Sequence, residues 1–284
     1  MELELKKECL DTYELGEPQT LTQEETAETI VPDYCPDIAR IISAEGVVCL
    51  HGGTEQDGVT GTVRVTVLYT PENESGVRAL EFAMPFSAQG EGLAGCAHVV
   101  VETEIELLES RMLNPRKIFT RCKLVTHLAG CRKVCLTISS DAETDPALLV
   151  EKRCCGQTVS LLRQVAEKDL TFSETMSLSL GREGAAELLH CRANGIVTET
   201  KAIGNKLIFK GVFLVSALYR TIGGQLASAS AELPFSQIME TDSTEENTQV
   251  SMRLRITGTD IQIDGSDDEG RQLSVTVYYH TMAF

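Results

Sequence analysis

The 284-residue chain repeats itself at a spacing close to 150 residues, and no other feature constrains its fold as strongly. Val59-Thr60-Gly61 leads into a run ending Val67-Leu68-Tyr69, and Phe209-Lys210-Gly211 leads into a run ending Ala217-Leu218-Tyr219. Gly61 and Gly211 are 150 residues apart, as are Tyr69 and Tyr219. Ala44-Glu45-Gly46-Val47 with Ala193-Asn194-Gly195-Ile196, and Pro85-Phe86-Ser87 with Pro234-Phe235-Ser236, keep that register to within one residue. Further back, Lys6-Lys7-Glu8-Cys9 resembles Glu151-Lys152-Arg153-Cys154. The chain therefore reads as two copies of one domain, residues 1–145 and 146–284, divided at the polar, turn-rich stretch Ser139–Pro146.

Each copy reads as mainly β. Val59, Gly61, Val63, Val65, Val67 and Tyr69 alternate with Thr60, Thr62, Arg64 and Thr66, the period of a half-buried strand. Val99, Val101, Ile105 and Leu107 are expected to face opposite Glu102, Glu104 and Glu106. Val250, Met252, Leu254 and Ile256 alternate in the same way, as do Leu273, Val275, Val277 and Tyr279. Leu207–Leu218 is apolar on both faces, which suits a central strand or one covered by the other copy. Glycine within a strand, at Gly61 and Gly211, points to a bulge or a close backbone approach. One short helix is expected per copy: Pro36–Ile42, with proline at its first position and Asp37 at its positive end, and Ala185–Cys191. The fold class expected is two tandem β-sandwich- or barrel-like domains, each with one short helix.

The net charge of -17 repels phosphate backbones and anionic lipid, so no nucleic-acid partner and no membrane insertion are expected. Met1–Cys9 lacks the apolar core of a signal peptide, and no run nears the ~18 apolar residues of a membrane span. The chain is expected to start in the cytosol, where its ten cysteines would be mostly reduced.

Common catalytic signatures are missing: no GxxxxGK[ST] loop, no GxSxG elbow and no HExxH helix occurs. Cys131 and Cys135 have zinc-like spacing but sit in a strand-like run, and adjacent Cys154 and Cys155 would point to opposite faces, as does not suit a zinc site. Cys49-Leu50-His51 adds no second ligand pair. Asp260–Gly270 is rich in carboxylates, yet Ile261–Ile263 reads as strand, so a hairpin turn is simpler than a calcium loop. His51, His98, His127, His190 and His280 show no nucleophile pattern shared by both copies. No catalytic residue, cofactor or metal is expected.

Two segments, Ile30-Val31-Pro32-Asp33-Tyr34-Cys35-Pro36-Asp37-Ile38-Ala39-Arg40-Ile41 and Glu109-Ser110-Arg111-Met112-Leu113-Asn114-Pro115-Arg116-Lys117-Ile118, resemble the SPOCS domain of endospore-forming Firmicutes. Lys201–Leu207, continuing through Lys210-Gly211 to Leu218-Tyr219, is similar to it as well. The resemblance implies a non-catalytic sporulation protein. Some family members add a C-terminal LysM module and link the spore coat to the forespore surface through a coat protein. This chain instead ends Tyr278–Phe284 without a LysM segment. The role implied is a protein-interaction module in spore-coat or spore-envelope assembly, made in the mother-cell cytosol and deposited at the forespore surface. A self-assembling structural protein of the spore surface, hence a homo-oligomer, is the second reading. A cell-wall-binding protein is the third, disfavoured by the absence of Trp.

Asp33, Tyr34, Asp37, Arg111, Asn114, Arg116 and Lys117 are the candidate residues for partner binding or for a structural clamp. Asn114-Pro115-Arg116-Lys117 reads as a turn, with Arg111, Arg116, Lys117 and Arg121 clustered near it. These cations either pair internally with Glu104, Glu106, Glu109, Asp33 or Asp37, or form a partner patch. An internal pair would pin the Pro36–Ile42 helix to the turn. The second copy has the Asp264–Glu269 loop there and no such cations, so its Ala185–Cys191 helix is expected to dock by apolar contacts alone.

Overall fold

The computed structural model describes residues 4–51, 58–143, 158–178, 183–242, 248–264 and 269–284. The division expected at residue 145, the Cys154–Cys155 pair and part of the Asp264–Glu269 loop lie outside the described residues. Thirteen strands follow in order: β1 (Glu4–Leu15), β2 (Gln19–Ile30), β3 (Ile38–Leu50), β4 (Gly58–Pro71), β5 (Arg78–Gln89), β6 (His98–Asn114), β7 (Lys117–Glu143), β8 (Ala166–Ser177), β9 (Ala185–Ile203), β10 (Lys206–Thr221), β11 (Leu226–Glu240), β12 (Met252–Ile263) and β13 (Gln272–Ala283). No helix occurs among the described residues.

The strands form the same two-sheet arrangement twice. β2 and β6 flank β7, and β3–β4–β5 forms a second antiparallel sheet. Likewise β8 and β12 flank β13, and β9–β10–β11 forms the other sheet. Apolar residues one apart in parity close each core between its two sheets. Val63, Val65, Val67 and Tyr69 of β4 pack with Ile118, Cys122, Leu124 and Leu128 of β7. Phe209, Phe213, Val215 and Tyr219 of β10 pack with Leu273, Val275, Val277 and Tyr279 of β13. A third cluster joins the two sets of strands, with Val100, Ala129 and Cys131 against Val165 and Met282.

Both expected helices are strands, and the cause is specific. Ile38, Ile41 and Ala44 are spaced three apart and all face the core. The pairing of β3 with β4 slips between Ile38 and Arg40 and again between Ile41 and Ser43. Each bulge adds a residue, so a period of two becomes an apparent period of three. In β9, Ala185, Leu188 and Cys191 repeat this spacing, with shifts in register at the matching places. A bulge between Ile105 and Leu107 also corrects the reading of β6, turning Leu108 inward and leaving Leu107 37% exposed. Residues 207–218 form the central strand of their sheet, with one face buried and the other half-exposed.

The repeated glycines meet the repeated phenylalanines. Gly61 pairs with Phe86 and Gly211 with Phe235. A Cβ at Gly61 would lie 2.5 Å from the Phe86 ring, and one at Gly211 would lie 2.5 Å from the Phe235 ring and 2.1 Å from the Ile196 carbonyl oxygen. The ring therefore occupies the space that a side chain would need. Gly211→Ala forces the buried Phe235 or the backbone of β9 to move, at a cost of about 1–3 kcal/mol. We expect its urea midpoint to fall with an unchanged slope; an unchanged midpoint refutes the tight contact.

Candidate functional site

Arg116 sits where the chain crosses between sheets. The Pro115-Arg116 turn joins β6 to β7, and Asn114 Oδ1 accepts from the Arg116 amide at 2.9 Å. The Val31 and Ile38 amides, at either end of the β2–β3 crossover, donate to the carbonyls of Arg116 and Pro115, each at 2.9 Å. The Arg116 side chain closes the same gap. Nη1 donates to the Cys35 carbonyl at 2.8 Å and to Asp37 Oδ1 at 3.0 Å; Nη2 donates to the Val31 carbonyl at 2.8 Å and to Asp33 Oδ1 at 3.1 Å. Arg116 is thus brought together with Asp33 and Asp37, around a strand-to-strand crossover and not around a helix.

The other candidates lie apart from this contact. Arg111 stacks over the Phe119 ring, 4.9 Å from its centroid. Lys117 pairs with Glu28, and Arg121 with Glu24, across the β2–β7 ladder. Tyr34 is 87% exposed and Val31 and Ile38 are fully buried, so the crossover turns one tyrosine out between two anchors. Tyr69 Oη donates to the Pro36 carbonyl at 3.3 Å, and burial with Cys35 beside it pushes that phenol up to about 12.

The second set of strands makes the same backbone clasp. The Leu178 and Ala185 amides donate to the carbonyls of Arg271 and Gly270, both at 2.7 Å. Glu72 N–H to the Asp37 carbonyl is matched by Ile222 N–H to the Gly184 carbonyl. Arg271 occupies the position of Arg116, which corrects the expectation that no cation stands there; it pairs with Glu269 at 3.1 Å. The insertion of several residues in the β12–β13 turn hid this correspondence in the sequence. A side chain at Gly184 would collide with the Glu269 carbonyl, so the clasp also explains that glycine.

A cleft of about 340 Å³ opens between the two sets of strands. Glu167 sits in it between two imidazoles, 3.0 Å from His98 Nδ1 and 3.5 Å from His280 Nε2, and His280 Nδ1 lies 2.8 Å from Asp169. Hydrogen bonds from His280 and His98 hold the Glu167 carboxyl down to about 2 despite burial. The bond to Glu167 raises His280 above its ordinary value, with Asp169 adding to it. Arg255 reaches across to the Val101 carbonyl at 3.2 Å, and burial lowers its guanidinium. Glu167 and Asp169 of one set of strands with His98 of the other and His280 make a charged clasp between the two sets. His98, Glu167 and His280 are far apart in the chain, and no sequence spacing could have signalled them.

Nor do the cysteines gather around a metal: no group of three His, Cys, Asp or Glu among the described residues could hold one. Cys131 is buried, whereas Cys135 forms a disulfide with Cys9, their Cα atoms 5.8 Å apart across the β1–β7 ladder. This pair departs from the reduced thiols expected. Asp260, expected to begin a turn-rich acidic stretch, lies within β12 and accepts from the Gln262 side chain.

The outer face of β9–β10–β11 carries several apolar side chains. Ile208, Val212 and Leu214 point away from the core, with Ile238 opposite Ile208 and with Pro234 and Ile196 opposite Val212, while Lys210 lies between Ile208 and Val212 and Leu214 faces Glu232 and Asn194. Ile196 and Ile238 are 48% and 49% exposed. On β4, the strand at the same place in the other set, the outward residues are Thr60, Thr62, Arg64 and Thr66.

Two outcomes follow. Arg116→Ala removes two charge-assisted bonds to backbone and two half-exposed ion pairs, worth about 1–3 kcal/mol together. Melting should fall by several degrees, whereas Arg111→Ala loses only an exposed cation–π contact of under about 1 kcal/mol. Equal melting of the two variants contradicts the clasp. For the cleft, the raised His280 contributes stability present below its unfolded value of 6.5 and lost as pH rises through its higher folded value. The depressed Glu167 contributes stability present above 4.5 and lost as pH falls toward about 2. The clasp is strongest between about pH 4.5 and 6.5. Glu167→Gln should lower melting most in that window; a shift equal from pH 4 to 9 counts against it.

The family model of the SipL, SPOCS domain matches residues 185–264, from the start of β9 to just past the end of β12. No curated protein and no solved structure matches the chain. The matched stretch holds the whole β9–β10–β11 sheet, with its bulged first strand, and β12, one of the three strands of the facing sheet. Over that stretch the chain is similar to the SPOCS domain.

Proposed function

We propose that the protein is a non-catalytic protein-interaction module in spore-coat or spore-envelope assembly, made of two SPOCS-like repeats, residues 1–145 and 146–284. It would be made in the mother-cell cytosol and deposited at the forespore surface. The observation that carries this reading is the outer face of β9–β10–β11. Two sheets with the same strand order differ there, threonine and arginine on β4 against isoleucine, valine and leucine on β10. The fold therefore does not require an apolar surface at this position. An exposed group of apolar side chains among polar ones is what a protein partner covers. Here the polar ones are Lys210, between Ile208 and Val212 and paired with Glu199, and Glu232 opposite Leu214, and the net charge of -17 favours a partner with basic groups around its own apolar surface.

A cell-wall binder gains nothing from this surface, since the patch holds no aromatic ring on which a sugar would stack.

Leu214→Glu puts a second carboxylate opposite Glu232, on an outward position next to Val212. We expect the variant to melt like the parent and to lose both forespore localisation and its co-purifying protein in sporulating cells. Retention of both would overturn the reading.

A further inference from the structure

β7 runs on past its own sheet. β6 pairs with it only as far as Cys131, while β1 pairs with residues 131–143. The two edges are distinguishable: the Cys131 carbonyl accepts from Ala97 on the β6 side, and the Gly130 carbonyl accepts from Gly16 on the other. The Tyr13 amide, opposite Lys133, turns away from β7 to the Leu162 carbonyl at 2.7 Å. By strand alternation, Lys133, Cys135, Thr137 and Ser139 therefore aim their amides and carbonyls at the β6-side edge, and no described strand pairs with them there. The result is a two-stranded ribbon, β1 with the end of β7, projecting beyond the sandwich. A lone two-stranded ribbon is marginal in water. Leu136 and Ile138 on it are 42% and 38% exposed.

We propose that this edge pairs antiparallel with the same edge of a second copy, giving a two-fold dimer with one continuous sheet, β1–β7 of one chain beside β7–β1 of its partner. Three observations select a second copy as the occupant. Val134–Ser140 carries neither charge nor proline, the composition of a strand that accepts another strand. The outer strands of the sandwiches are guarded instead: β2 carries Glu24, Glu25 and Glu28, β8 carries Glu167, Asp169 and Glu174, and β5 and β11 carry Pro85 and Pro234. The edge is also self-complementary. With Leu136 on the two-fold axis, Leu136 faces Leu136, Val134 faces Ile138, and Cys135 faces Thr137, so apolar meets apolar on one face. Lys133 and Arg132 then face Ser139 and Ser140, and no like charges oppose. The Cys9–Cys135 disulfide ties β1 to β7 within the ribbon. An isologous contact of this kind closes at two chains and does not propagate. It is separate from the partner face on β9–β10–β11 and does not depend on it.

The test uses the full chain in sedimentation equilibrium and light scattering. The parent should show twice the 31.0 kDa chain mass at micromolar concentration. Thr137→Pro removes an amide on the open edge without touching the β1 ladder, and Leu136→Glu sets two like charges against each other on the axis. Both should halve the mass while keeping the parent's sheet circular dichroism. Leu136→Cys should cross-link into a covalent dimer on mild oxidation, whereas Val134→Cys, whose opposite residue is Ile138, should not. Leu214→Glu should remain dimeric, which separates this edge from the partner surface. A monomeric parent, a dimer that survives both Thr137→Pro and Leu136→Glu, or cross-linking of Val134→Cys in place of Leu136→Cys would overturn the proposal.

Discussion

The crossover clasp is the contact on which the rest of the architecture depends. A two-sheet sandwich must pass its chain from one sheet to the other, and the crossing backbone leaves amides that need acceptors near a dry core. Here the Val31 and Ile38 amides find them in the Pro115-Arg116 turn, and Leu178 and Ala185 find them in Gly270-Arg271. The turn between the last two strands of each set thus receives the link between its first two. This brings the start of β3 against the end of β6, and the start of β9 against the end of β12, and fixes how the sheets face each other. Once that is set, Val31 and Ile38 are sealed and the Arg116 guanidinium satisfies four crossover groups, the Val31 and Cys35 carbonyls and the Asp33 and Asp37 carboxylates.

The two sets of strands use one scaffold for different ends. Cores are alike in kind, each closed by alternating residues of a central strand and capped by a phenylalanine over a glycine. Surfaces are not. Arg64 on the outer face of β4 reaches the Thr259 carbonyl of the other set at 2.9 Å, while the corresponding face of β10 is left apolar. Glu45 meets His190, Glu102 meets Arg253, and Glu167 holds both His98 and His280, so the junction between the sets is made of charge around a small apolar cluster.

The sequence was misleading where strands bulge. Ile38, Ile41 and Ala44 present a helical spacing because two extra residues are absorbed without leaving the ladder. Periodicity reports which residues face inward, and a bulged strand and a helix can turn the same residues inward. Leu107 was misassigned for the same reason: one bulge reverses every face beyond it. Arg271 was missed because a longer turn displaced it from the register that the anchors keep elsewhere. Arg116 with Asp33 and Asp37 was legible, since opposite charges in two short apolar signatures have few places to go.

Local pattern determined the strand content, the repeat and the buried faces of β4 and β13. These depend on side-chain alternation and volume, which a chain carries wherever it is. Only the tertiary structure decided that Glu167 lies between His98 and His280, that one face of β10 is left open, and that β7 outruns β6, leaving an edge that no described strand covers. Those follow from how two sandwiches and a ribbon are placed in space, and contacts between residues so distant in the chain leave no period or spacing in the sequence.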